Sequence, residues 1–174
     1  MSLPLQRATQ LALKIYGELK PLCTQLVIAG SIRRSRPVCG DIDLVIEATE
    51  IQRLNIVSRC CERWVQKVDG PQNCIFTRTV AGGDEIQLDI FFARPESKTL
   101  FETTPSNFGT LLICRTGSKN HNIKLVEHAK RNGLRWNPYQ GVYDQDNRLL
   151  ASATEEEVFQ ALGLGFIPPQ NREA

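Results

Sequence analysis

No apolar run in this sequence approaches the ~20 residues that a membrane-spanning helix needs, and the N-terminus carries no apolar segment with a cleavage site. Those absences point away from a secreted or membrane-inserted chain and toward a cytoplasmic one. None of the six cysteines, at 23, 39, 60, 61, 74 and 114, falls in a CxxC pair, which argues against zinc. Cys60 and Cys61 are adjacent and would make a strained disulfide with each other. The six read as reduced thiols, with a longer-range pairing left open. There is no repeat, no low-complexity tract and no obvious linker. A net charge of +2 says little about partners. The distribution says more, since Arg33, Arg34 and Arg36 cluster, and Arg115 to Arg135 holds six basic residues against one acid, Glu127. Such clusters can track a phosphate backbone.

What is present centres on Leu26 to Glu47, LVIAGSIRRSRPVCGDIDLVIE. It begins as a strand, breaks at Gly30-Ser31, passes the arginines and re-enters a strand with Asp41 and Asp43. Two residues apart in a strand, these carboxylates share one face, while Ile42, Leu44 and Ile46 point to the other. Paired acids on an apolar strand stay ionised cheaply when a cation lies between them. Hard ions such as Mg²⁺ take a few carboxylates together with substrate phosphates. Gly30-Ser31 opening a short helix offers free N–H groups to an anion, and Arg33 and Arg34 add fixed positive charge. Each feature alone is more often a surface device. In this order they describe a site for metal and a nucleoside triphosphate.

Around this stretch the periodicity predicts a helix over residues 4–20 and a second over 50–67, with Ile51, Leu54, Val57, Cys61, Trp64 and Val65 facing inward. A hairpin follows, Asn73–Val80 and Asp84–Phe92, joined by Ala81-Gly82-Gly83. In its second arm Ile86, Leu88, Ile90 and Phe92 should face the core, leaving Asp89 on the open face as a third candidate ligand. Residues 95–105 read as a loop, and 106–114 as a helix ending at Arg115-Thr116-Gly117-Ser118. Lys119–Arg131 is a further helix, ended by Gly133. Leu134–Tyr143 suggests short strands. Thr154 with Glu157 forms a capping box for a helix to Leu162, and a proline-locked tail follows.

The run GSxRR…GDxD resembles the signature of the polymerase-beta-like nucleotidyltransferases, and most closely that of the family X DNA polymerases. EIQLDIF, residues 85–91, looks like the strand that carries the family's third carboxylate. TGSKNHNIKLVEHAKRNGLRWN and ATEEEVFQALGLGFIPPQNRE are similar to the thumb of bacterial members. The resemblance implies an α+β fold: a polymerase-beta-like palm of mixed sheet flanked by helices, residues 1–104, and a small α+β thumb, residues 105–174. It also implies a minimal palm-plus-thumb form, like the small viral member, without room for lyase, helix-hairpin-helix or phosphoesterase domains. Two departures stand out. Many members carry Tyr-Phe before Thr-Gly-Ser, where this chain has Cys114-Arg115, and several carry an arginine in the thumb helix where this chain has Val126.

The implied chemistry is attack of a primer 3′-hydroxyl on a nucleoside triphosphate with two Mg²⁺ ions, Mn²⁺ serving as a substitute. The resemblance places metal binding on Asp41, Asp43 and Asp89. It places nucleotide binding on Gly30, Ser31, Arg33, Arg34, Gly40, Thr116, Gly117 and Asn122. Lys119, Lys124, Lys130 and Arg131 are expected to meet DNA. The expected function is short-gap filling in DNA repair by a monomer of low processivity, with a repair partner protein. Two alternatives stay open: a terminal transferase or other nucleotidyltransferase with a non-DNA acceptor, and a non-catalytic DNA-binding module.

Overall fold

The computed structural model describes residues 2–79, 83 and 85–173. The chain divides into two compact units, residues 1–92 and 93–174. Each has its own apolar core.

In the first unit, β1 (Leu3–Pro4) leads into α1 (Leu5–Leu19), whose Ala8, Ala12, Ile15 and Leu19 are buried at helical spacing. The strand β2 (Gln25–Ile28) is followed by α2 (Gly30–Arg33), a single turn, then by β3 (Val38–Cys39) and β4 (Ile42–Glu47). β3 pairs with β1. Next come α3 (Glu50–Cys61), β5 (Val65–Asp69), β6 (Asn73–Thr79) and β7 (Glu85–Ala93). The mixed sheet runs β2-β4-β7-β6-β5, so β4 and β7 lie side by side at its centre. Ile42, Leu44 and Ile46 from β4 and Leu88 and Ile90 from β7 are wholly buried, which fixes the register through a one-sided apolar face. The hairpin's connecting residues lie, apart from Gly83, outside the described residues.

The expected helix over 50–67 is corrected. α3 is capped by Thr49, which exchanges hydrogen bonds with Gln52, and it ends at Cys61. Residues 65–69 instead form the edge strand β5, pairing with β6 from Val65↔Thr77 to Asp69↔Cys74. The inward face is also different: Ile56 and Cys60 are buried, whereas Ile51, Leu54 and Val65 are largely exposed. Trp64 is buried, but beyond the helix end.

In the second unit, a small ribbon of β8 (Ser97–Lys98) and β9 (Thr103–Thr104) occupies the stretch read as a loop. Residues 93–104, attached to the first lobe in the sequence reading, are tied into this unit. The Arg94 N–H donates to Asn107 Oδ1 at 2.7 Å, and an Arg94 guanidinium nitrogen donates to the Pro105 carbonyl at 3.1 Å. Helices α4 (Phe108–Thr116) and α5 (Lys119–Arg131) follow, then a sheet of β10 (Arg135–Asn137), β11 (Gly141–Tyr143) and β12 (Leu149–Ala151), then α6 (Glu155–Ala161). Ile113, Leu125, Trp136, Val142, Val158 and Phe159 make the core. Thr154 caps α6 by accepting from the Glu157 N–H at 3.2 Å. All six cysteines are free. Among the described residues no helix is long and apolar enough to cross a membrane.

Candidate active site

Asp43 lies within β4, Asp41 directly precedes that strand, and Asp89 sits in the middle of the neighbouring β7. Strand alternation puts Asp89 opposite the buried Leu88 and Ile90 side chains, so its carboxylate leaves the core. One oxygen from each of Asp41, Asp43 and Asp89 lies within 4.8 Å of the others, and all three residues are half-buried. An oxygen-only donor set of this compactness fits a hard divalent cation. Gln87 Nε2 donates to Asp89 Oδ1 at 2.8 Å and orients that carboxylate from the same face of the strand.

Gly30 abuts this cluster. Its φ of +59° belongs to the left-handed region, and a Cβ built there would overlap the Asp43 carboxylate. Glycine is therefore required twice, for its backbone and for the acid beside it. The Ala29 N–H donates to the Asp43 carbonyl at 2.8 Å, so the turn and the acid strand are one unit of structure. Ser31 Oγ is buried and has no hydrogen-bond partner. A buried hydroxyl left unspent on the residue after Gly30 fits a ligand that accepts hydrogen bonds, such as a phosphate oxygen. Arg33 and Arg34, half-buried, close the same one-turn helix. At Gly40 a side chain would meet nothing within 4 Å, so no crowding dictates glycine there.

In the second unit, Thr116 is wholly buried at the end of α4, and Gly117 caps that helix at φ +71°. Ser118 begins α5 by accepting from the His121 N–H at 3.3 Å. Asn122 Nδ2 donates to the Cys114 carbonyl at 2.8 Å, while Asn122 Oδ1 is buried and unbonded. Arg115 hydrogen-bonds the Tyr139 hydroxyl, and its guanidinium lies 5.5 Å over the Tyr139 ring.

Residues 3–85 match the DNA polymerase beta palm, and residues 111–173 match the DNA polymerase beta thumb. The chain belongs to the family X DNA polymerases. It is also similar to the DNA polymerase/3'-5' exonuclease PolX of Bacillus subtilis (strain 168), 31% identical over 147 residues, 84% of this chain and 24% of that protein. The chain thus spans about a quarter of the length of this curated relative.

Within the thumb, Lys119, Lys124, Lys130 and Arg131 are all exposed on α5. His121, left without a role in the sequence reading, is 6% exposed, and burial pushes its pKa down to about 4, with Arg172 and Lys124 adding to the effect. The sequence reading also missed the pair Arg172–Glu155. Arg172 is wholly buried, donates to Glu155 Oε1 at 2.7 Å, and lies over the rings of Phe159 and Phe166. Its carbonyl accepts from the Ser118 N–H at 2.8 Å, so the C-terminal segment holds the Thr-Gly-Ser turn. The available signal was a lone arginine in an apolar, proline-rich tail downstream of an acidic run.

Proposed function

We propose that this chain is a DNA-directed DNA polymerase that adds nucleotides to a primer 3′-hydroxyl, filling short gaps in DNA repair. The observation that carries the reading is the compact triad of Asp41, Asp43 and Asp89 beside Gly30. A palm match over residues 3–85, which include Gly30, Asp41 and Asp43, supports it.

Asp41, Asp43 and Asp89 would hold two Mg²⁺ ions, for which Mn²⁺ can substitute. Bound there, the ions supply Lewis-acid stabilisation of the oxygens that gain charge during phosphoryl transfer. The chain's own residues do the positioning. Gly30 keeps the backbone close to the acids, and Ser31 Oγ donates its free hydrogen bond to a phosphate oxygen of the nucleotide. The Gly40 backbone completes the cradle. Arg33 and Arg34 balance the negative charge of the triphosphate, Arg34 chiefly that of the departing pyrophosphate. In the thumb, Gly117 and Asn122 contact the nucleotide, and Thr116, wholly buried, supports the turn that presents them. Lys119, Lys124, Lys130 and Arg131 meet DNA phosphates, which makes affinity fall with salt.

The test is extension of a labelled primer by the purified chain with Mg²⁺, on a one-nucleotide gap and on the bare single strand. Templated addition in the gap is expected, and Asp89→Ala should lower it by at least about 10³-fold, the scale of losing a group that acts in the transition state. Addition without a template would move the reading to a terminal transferase. Full activity in Asp89→Ala would remove that residue from the site.

A further inference from the structure

The second unit contains a cleft of about 690 Å³ that the polymerase reading does not use. One wall is β9, with Thr103 and Thr104, together with the preceding Glu102, and the other is β12, with Leu149 and Leu150. Both are edge strands among the described residues: β9 pairs with β8 alone, and β12 with β11 alone. The volume lies in the range of formed ligand clefts. A smaller hollow of about 310 Å³ continues past Leu150 toward α6. Leu150, shared by both, is 48% exposed.

Two sheet edges among the described residues flank one cleft, and an edge strand is where an added strand can pair its backbone N–H and C=O groups. The charge selects the occupant. Glu102 and Glu157, both exposed, line the cleft, and the cation among its lining residues, Arg94, already donates to the Pro105 carbonyl. Carboxylates at the rim repel a nucleic-acid backbone and attract lysine or arginine. Leu149 and Leu150 offer apolar surface to the side chains between the basic ones.

We propose that this cleft docks an extended segment of a partner protein, with basic and apolar residues alternating, added as a strand between β9 and β12. The proposal stands independently of the polymerase activity, and its test reads binding alone.

The experiment uses the full chain, isotope-labelled, with backbone amide resonances followed by NMR. The probe is acetyl-Lys-Val-Lys-Val-Lys-Val-amide. Saturable shifts at Thr103–Thr104 and Leu149–Ala151 are expected. The Glu102→Lys/Glu157→Lys variant, altered only at exposed side chains, should bind roughly tenfold more weakly, as two rim charges reversed together imply. A peptide with Glu in place of Lys, and one N-methylated at alternate amides, should leave these resonances unmoved. The proposal is overturned if the basic peptide shifts neither edge, or if the acidic or N-methylated peptide binds equally well. It is also overturned if the charge-reversed variant binds unchanged, or if an oligothymidylate shifts the same resonances in place of the peptide.

Discussion

Gly30 carries two constraints that act on different atoms. Its positive φ costs an L-residue about 1 kcal/mol or more, and a Cβ would displace the Asp43 carboxylate from the triad. A Gly30→Ala chain should therefore stay folded, with a small fall in stability, yet lose nucleotide addition by far more than that fall explains. Thermal melting and primer extension on the same preparation separate the two effects. If Gly30→Ala melts like the parent and extends primers normally, the contact with Asp43 has no bearing on chemistry. At this scale the sequence was informative where a residue type is costly without a reason. Aspartate within an apolar strand is costly, so alternation marked Asp41, Asp43 and Asp89 as candidate ligands on the open faces of their strands, whereas the pairing of β7 beside β4, which brings them together, has no signal in periodicity. Arg172 and Glu155 could not, because each is an ordinary surface residue until the chain folds them against Phe159 and Phe166.

Elements were legible where a local signal marked their ends. Helix α5 runs from Lys119 to Arg131 as its Ser118 start and Gly133 stop suggest, and β7 buries the face its alternation selects. The end of α3 carried no such signal. Between Thr49 and Asp69 there is neither glycine nor proline, and the helix stops because Val65–Asp69 pairs with β6 instead. A tertiary partner overrode local pattern there, and Ile51 and Leu54 were misread because helical spacing does not say which stripe meets the core. The β8–β9 ribbon was illegible for a simpler reason: its ladder spans two residues on each side. The C-terminal segment docks through a buried ion pair, Arg172–Glu155, as well as through the Ser118 hydrogen bond and apolar contacts. Arg172→Ala leaves Glu155 buried without its cation, which costs about 3–5 kcal/mol. Chemical denaturation followed at Trp136 should show that loss. A loss under about 1 kcal/mol would mean that the tail is held by its apolar contacts instead.

At the scale of the molecule, two cores and one tryptophan in each give a way to watch the units separately. Trp64 is buried in the first unit and Trp136 in the second. Both histidines belong to the second unit, and His121 is held neutral by burial with a pKa near 4. The unfolded chain titrates histidine near pH 6.5. Above that pH the group is neutral in both states and costs nothing. As pH falls below about 6.5, the unfolded state takes up a proton that the folded state refuses, so stability falls until about pH 4, where the folded state protonates too. A Trp64→Phe chain reports the second unit through Trp136, and a Trp136→Phe chain reports the first through Trp64. The second unit's melting temperature should drop between about pH 6.5 and pH 4, and His121→Phe should flatten much of that drop. The first unit, which has no histidine, should lack this component, and any acid response it shows should be unchanged by His121→Phe. If His121→Phe leaves the acid response of Trp136 intact, the lability lies in the carboxylates, of which the buried Glu155 is the one to test next.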